Sequence, residues 1–160
     1  MSYVESTLRP NESLVVRGNL HWILLIPTML WWLGSFAALW YGFQYTDTER
    51  LIFHGLAAFL ALGGTLVGIA ALLRLWTTEY AVTSARVVAK HGWIRRTTTS
   101  LPGARIESVH VDQTVLGRMF DFGTVTIRGT GDHSERLVLL RNPIAFRNAA
   151  MDIISPQSAA

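Results

Sequence analysis

His21–Phe43 reads HWILLIPTMLWWLGSFAALWYGF, a run without one charged side chain. As a helix it reaches roughly 33 Å, enough to cross about 30 Å of hydrocarbon. A second run, Leu51–Leu73, reads LIFHGLAAFLALGGTLVGIAALL and is of similar length. The pair predicts a two-helix transmembrane hairpin: helix 1 over 21–43, an external loop over 44–50, helix 2 over 51–73. Pro27 is expected to kink the first helix, which lipid-embedded helices tolerate when neighbours satisfy the freed carbonyl. Trp22 at one end and Trp40, Tyr41 and Tyr45 at the other suit the headgroup layers. Trp31 and Trp32 fall at mid-span, where they are expected to pack on the second helix or face lipid tails.

Small residues mark a packing seam. Gly64 and Gly68 form a GxxxG pair, extended by Ala57, Ala61 and Thr65, and Gly34 and Ala38 give the first helix a matching patch. Such stripes let helix backbones approach closely. Two readings stay open: packing inside the hairpin, or association of copies through Gly64 and Gly68. A cleaved signal peptide is not expected, because the first run is too long and mostly polar residues precede it.

Charge sets the orientation. Arg9 and Arg17 precede the first run, and Arg74, Arg86 and Lys90 follow the second, while the intervening loop has only Arg50. An excess of cations on the cytoplasmic side then predicts a multi-pass protein with both termini in the cytoplasm. The net charge of +3 conceals this distribution, since the portion from Arg74 onward is net basic and the loop is not. With no cysteine in the chain, disulfides, thiolate metal sites and cysteine nucleophiles are excluded.

After the spans the pattern turns to short β-like runs, predicting a domain over 77–155 and a tail over 156–160. Expected strands are Glu79–Val82, Arg86–Lys90, Ile94–Ser100, Arg105–Asp112, Thr124–Arg128 and Arg136–Leu140, with glycine- and polar-rich turns between them. Asn142 and Pro143 then signal a helix start, and Ile144, Phe146, Ala150, Met151 and Ile154 approximate one apolar face. The fold class is α+β: a small barrel or sandwich of six strands closed by one helix. Within the N-terminal segment 1–20, Leu14-Val15-Val16 is β-like. Because both flanks of a hairpin emerge on one side, 12–19 is a candidate seventh strand.

Motifs that carry chemistry are thin. His110-Val111-Asp112 resembles a ligand pair, but one pair falls short of the three or four ligands a metal site needs. Thr97-Thr98-Thr99-Ser100 reads as the polar positions of a strand, and no base lies near in sequence to activate a hydroxyl. Gly129-Thr130-Gly131-Asp132 lacks the lysine and helix of a phosphate loop. Arg118, in the Leu116–Phe122 connection, is placed at an open sheet edge without a role. The expectation is therefore no catalytic residue, metal, cofactor, nucleic acid or small-molecule substrate. The candidate contact is Lys90, Arg95 and Arg96 around Trp93 at a hairpin tip: the ring suits the headgroup layer, and each cation gains about 1 kcal/mol from anionic lipid. The plain alternative is a solvated hairpin whose tryptophan covers the domain's own core.

The order of these features resembles a known family. A charge-balanced segment before a two-helix hairpin is followed by Thr83-Ser84-Ala85-Arg86-Val87-Val88, then Gly92-Trp93-Ile94-Arg95-Arg96. Ile106-Glu107-Ser108-Val109 comes next, then Leu116-Gly117-Arg118 through Phe122-Gly123-Thr124-Val125. This is similar to the bacterial PH-like membrane proteins of the YdbS type, over nearly the whole chain. The resemblance implies a pleckstrin-homology (PH)-like fold of two roughly orthogonal sheets capped by the helix Pro143–Ile154. It also implies the inner membrane of a bacterial cell. Eukaryotic PH domains often bind phosphoinositides through basic residues in the first hairpin loop. Here the turn Thr83-Ser84-Ala85 has only Arg86 beside it. The resulting expectation is a membrane-anchored, non-enzymatic binding or scaffolding module facing the cytoplasm, with the lipid bilayer and a protein partner or another copy as contacts. The alternative is an auxiliary subunit of a membrane transport or envelope-stress system.

Overall fold

The computed structural model describes residues 12–92, 97–130 and 134–154. The chain divides into a helical unit, Trp22–Leu73, and a second unit made of the segments on either side of it.

In the helical unit a 3-10 turn, Trp22–Leu25, leads into α1, Ile26–Gly42. Pro27 falls in the first turn of α1, where its missing N–H costs nothing. The expected kink inside the helix is thereby corrected to a helix start. The second helix, α2, runs Asp47–Thr77, longer than its apolar run at both ends. Asp47 and Glu49 in the first turn and Arg74 in the last complement the helix dipole and carry the helix past its apolar run. The loop expected over 44–50 shrinks accordingly.

The two helices meet through small residues. A Cβ on Gly64 would lie 3.0 Å from Trp31 Cβ, and one on Gly68 would lie 2.9 Å from Thr28 Cγ2. Ser35 Oγ donates to the Ala57 carbonyl at 2.9 Å, and Ala38 and Ala57 are buried. Gly34 faces the Leu60 side chain instead, at ordinary contact distance. Trp31 lies over Gly63 and Gly64, so this ring packs on the second helix.

In the second unit β1 (Leu14–Gly18), β2 (Glu79–Thr83), β3 (Arg86–His91) and β4 (Thr97–Pro102) form one antiparallel sheet in that order. The expected strand from Ile94 thus begins, among the described residues, at Thr97. A 3-10 turn at Gly103–Arg105 leads to the second antiparallel sheet: β5 (Ile106–Asp112), β6 (Phe122–Gly129) and β7 (Ser134–Arg141). Between β5 and β6 lies a short helix, α3, Val115–Met119, where the sequence suggested only a connection. The chain then forms α4, Pro143–Ile154.

Segment 12–19 supplies the seventh strand: Gly18 pairs with Tyr80 and Arg17 with Ala81. Of its apolar residues only Val16 packs against the core, while Val15 faces out. Past Gly18 the chain crosses to the other sheet. Leu20 bridges Leu140, the His21 N–H donates to the Leu139 carbonyl (2.7 Å), and the Arg141 N–H donates to the Asn19 carbonyl (3.0 Å).

The core fills the space between the sheets with Tyr80, Val82, Val87, Ala89, Val125, Ile127, Leu137 and Leu140. Strict alternation in β6 puts Val125 and Ile127 inside, both fully buried. From α4 come Phe146, Ala149 and Ala150, at the i, i+3, i+4 spacing of one helix face. The apolar face expected for this helix is corrected: Ile144 and Met151 are exposed.

Candidate binding surface

Arg86 opens β3 directly after the β2–β3 turn, and it is not available to a ligand. Its Nε and Nη2 donate to the two carboxylate oxygens of Glu12 at 2.8 and 3.0 Å. The Glu12 side chain is itself 3% exposed, and Thr83 Oγ1 donates to it at 2.6 Å. The one cation that flanked the turn in sequence therefore ties the N-terminal segment to the sheet.

Of the cluster expected at the hairpin tip, Lys90 stands on β3 between Glu79 of β2 and Thr98 of β4. Trp93, Arg95 and Arg96 lie outside the described residues. The turn after β6 is described only to Thr130, whose N–H donates to the Arg105 carbonyl at 2.8 Å.

A different surface emerges along β5. This strand ends its sheet, pairing within it only with β6. A cleft of about 490 Å³ runs beside it, lined by Val109, His110, Val111, Asp112 and Gln113, then Arg118 of α3 and Ile144 and Arg147 of α4. Consecutive residues of a strand point to opposite faces. Four in a row from β5, with Gln113 just past its end, line one hollow when it opens along the strand's edge. The edge of β5 is thus accessible, walled by two arginines and an apolar side chain.

His110 and Asp112, singled out in sequence as a pair, both line this cleft. Among the described residues no three His, Asp or Glu side chains come close enough to hold a metal ion. Gln113, Arg118, Ile144 and Arg147 carried no signal as a group, because a remote helix, α4, must pack beside β5 and α3 to bring them together. Arg118 alone was legible as an edge residue. A smaller hollow of about 240 Å³ lies between Arg17, Asn19, Arg141 and Asn142, with Phe146 at its floor.

Among the described residues, two titratable groups are shifted by burial. His21 is 4% exposed and its ring stacks on Phe122 with centroids 5.2 Å apart. Desolvation first, then the nearby Arg141 guanidinium, hold its pKa below the ordinary 6.5, against a hydrogen bond to the Phe120 backbone and the Asp121 carboxylate. Burial, reinforced by Glu135, pushes the Tyr80 phenol up to about 12.

Two antiparallel sheets packed over one core, with a C-terminal helix contributing to it, define the PH-like class. The chain belongs to the bacterial PH domain family, whose model matches residues 13–150, from the edge of β1 through both apolar helices and into α4. No curated protein and no solved structure matches the chain.

Proposed function

We propose that this protein is a membrane-anchored, non-enzymatic binding module, held by α1 and α2 with its PH-like unit on the cytoplasmic side, and that it binds an extended segment of a partner along β5. The observation that supports anchoring is the outward face of the two helices. Only 11% and 22% of the most apolar stretch of each is buried. Leu33, Phe36, Leu51, Phe59 and Leu62 all stand more than half exposed. A core helix of a soluble protein hides such residues, and lipid is the solvent that leaves them at ease. Family membership supports the binding role, because PH-like domains are generally binding modules rather than catalysts.

An exposed strand edge offers a row of backbone donors and acceptors to an added strand, and the flanking side chains select it. Arg118 and Arg147 favour a segment carrying carboxylates. Anchoring beside the membrane raises the effective concentration toward membrane-bound partners, so modest contacts suffice.

Extraction of membranes with alkaline carbonate is expected to leave the full chain in the pellet; release into the supernatant would sink the anchoring. A photo-crosslinking residue at His110, used in native membranes, is expected to capture a discrete product. Arg118→Glu combined with Arg147→Glu is expected to abolish that product. Capture unchanged by the charge reversal would refute the β5 site.

A further inference from the structure

Helix α3 is too short to stabilise itself, yet it is firmly held. Thr114 caps it by accepting the Gly117 N–H at 3.0 Å, and Gln113 Nε2 donates to the Phe122 carbonyl at 3.2 Å. Gly117 is pressed so close to that carbonyl that a Cβ there would lie 2.6 Å from it. What this scaffold holds outward is apolar. Val115 is 77% exposed, Leu116 57%, Met119 72% and Phe120 46%. Positions i, i+1, i+4 and i+5 form one continuous stripe on a helical turn. A fixed, contiguous apolar stripe of this kind marks an interaction surface rather than scattered surface leucines.

Its place in the PH-like unit says what covers it. Gly18 pairs with Tyr80, so the stretch leaving β1 and the stretch entering β2 lie at one end of the sheet. Phe122 pairs with Arg141, and Leu20 bridges Leu140, which brings the start of β6 and the end of β7 to that same end. His21 stacks on Phe122 and hydrogen-bonds the Phe120 backbone, and the next residue, Trp22, opens the first apolar segment. The stripe therefore sits beside the point where the chain leaves this unit for the apolar helices. Arg141, close to His21, supplies positive charge beside it.

We propose that α3 is an interfacial foot: Val115, Leu116, Met119 and Phe120 enter the boundary between headgroups and acyl chains of the leaflet that the apolar helices enter, with Arg141 on an anionic headgroup. An apolar stripe with a cation beside it is the pattern that settles in that layer. The foot rests on the anchoring proposed above but adds a second, separate contact, which fixes how the PH-like unit is presented.

Because the chain has no cysteine, single cysteines report cleanly. The full chain, reconstituted in vesicles of phosphatidylcholine and phosphatidylglycerol, carries an environment-sensitive fluorophore at Met119→Cys, Leu116→Cys, Phe36→Cys or Glu107→Cys in turn. Glu107 is exposed on β5, near the end of the strand away from α3. The foot predicts a blue-shifted emission at Met119 and Leu116, lost to shallow lipid-borne quenchers. The Glu107 label stays water-like, and the Phe36 label is lost to deep quenchers. Water-like labels on α3 with Phe36 still quenched from the lipid would overturn the foot and leave the anchoring standing. A water-like label at Phe36 would remove the anchoring and the foot together. Labels on α3 that are shielded from aqueous quenchers but untouched by lipid quenchers would assign the stripe to a second copy or a protein partner, and overturn the proposal.

Discussion

Glu12 and Arg86 show how a single pair can tie remote parts of a chain. Glu12 is nearly inaccessible, and three side-chain hydrogen bonds converge on it. Removing one partner leaves a desolvated charge without compensation, which costs about 3 kcal/mol. Glu12→Gln is expected to lower the thermal midpoint in detergent accordingly. The double change Glu12→Gln with Arg86→Met should recover most of the loss, because no charge is then stranded. His21 yields a prediction of different sign. Its pKa is depressed in the fold, so below about pH 6.5 the unfolded chain takes up a proton that the folded chain resists. The contribution is constant above that value and is lost as the pH falls through the depressed folded pKa. Urea midpoints measured from about pH 7 down to about pH 5 should decline more steeply for the native chain than for His21→Gln. Tyr80 acts at the other extreme. Its phenol stays neutral up to about pH 12, so stability falls as alkali ionises the unfolded tyrosine above its usual 10.0. Neither burial was legible in the sequence: His21 reads as the first residue of an apolar run, yet belongs to the β-rich unit.

Among the elements, those with a long period were readable and those built by distant contacts were not. Alternation in β6 and the Asn142-Pro143 signal give strand and helix directly, and Asn142 stands at a φ of 53°, a turn its small polar side chain tolerates. Helix α3 is not legible in the sequence, because five residues cannot display a 3.6-residue period; its cap, Thr114, is a lone residue type common in loops. The cleft along β5 is hidden for a related reason, since its walls come from three elements. Gly117→Ala forces a methyl group toward the Phe122 carbonyl and is expected to cost about 1–3 kcal/mol, read as a lowered thermal midpoint. In the helical unit, Ser35→Cys paired with Ala57→Cys is expected to crosslink across the seam that Ser35 and Ala57 already share. Gly64→Leu with Gly68→Leu should suppress that crosslink by wedging α1 away from α2, as the contacts of Trp31 and Thr28 require.

For the whole molecule, apolar length made the hairpin legible, and the tie between its flanks was legible only as a topological possibility. Residues 14–18 and 79–83 are joined into one sheet across an interruption that holds both apolar helices. Deleting Met1–Arg17 strips β2 of one of its two neighbours, along with the Glu12 carboxylate that Arg86 requires. The truncated chain is expected to aggregate on mild heating in detergent where the full chain remains monodisperse by size exclusion. Long-range pairing of this kind also slows folding, because the loop must be closed before the strands gain anything from meeting.

If the apolar helices insert in a bilayer as proposed, that same clasp makes insertion an all-or-none event. Once the hairpin crosses a bilayer as proposed, β1 and β2 find each other only if both flanks have stayed on the same side. A copy with one flank translocated is left with a half-built sheet and a stranded Arg86. Correct topology and a folded binding unit thus become a single condition, and a misthreaded chain exposes itself to proteolysis by failing to fold.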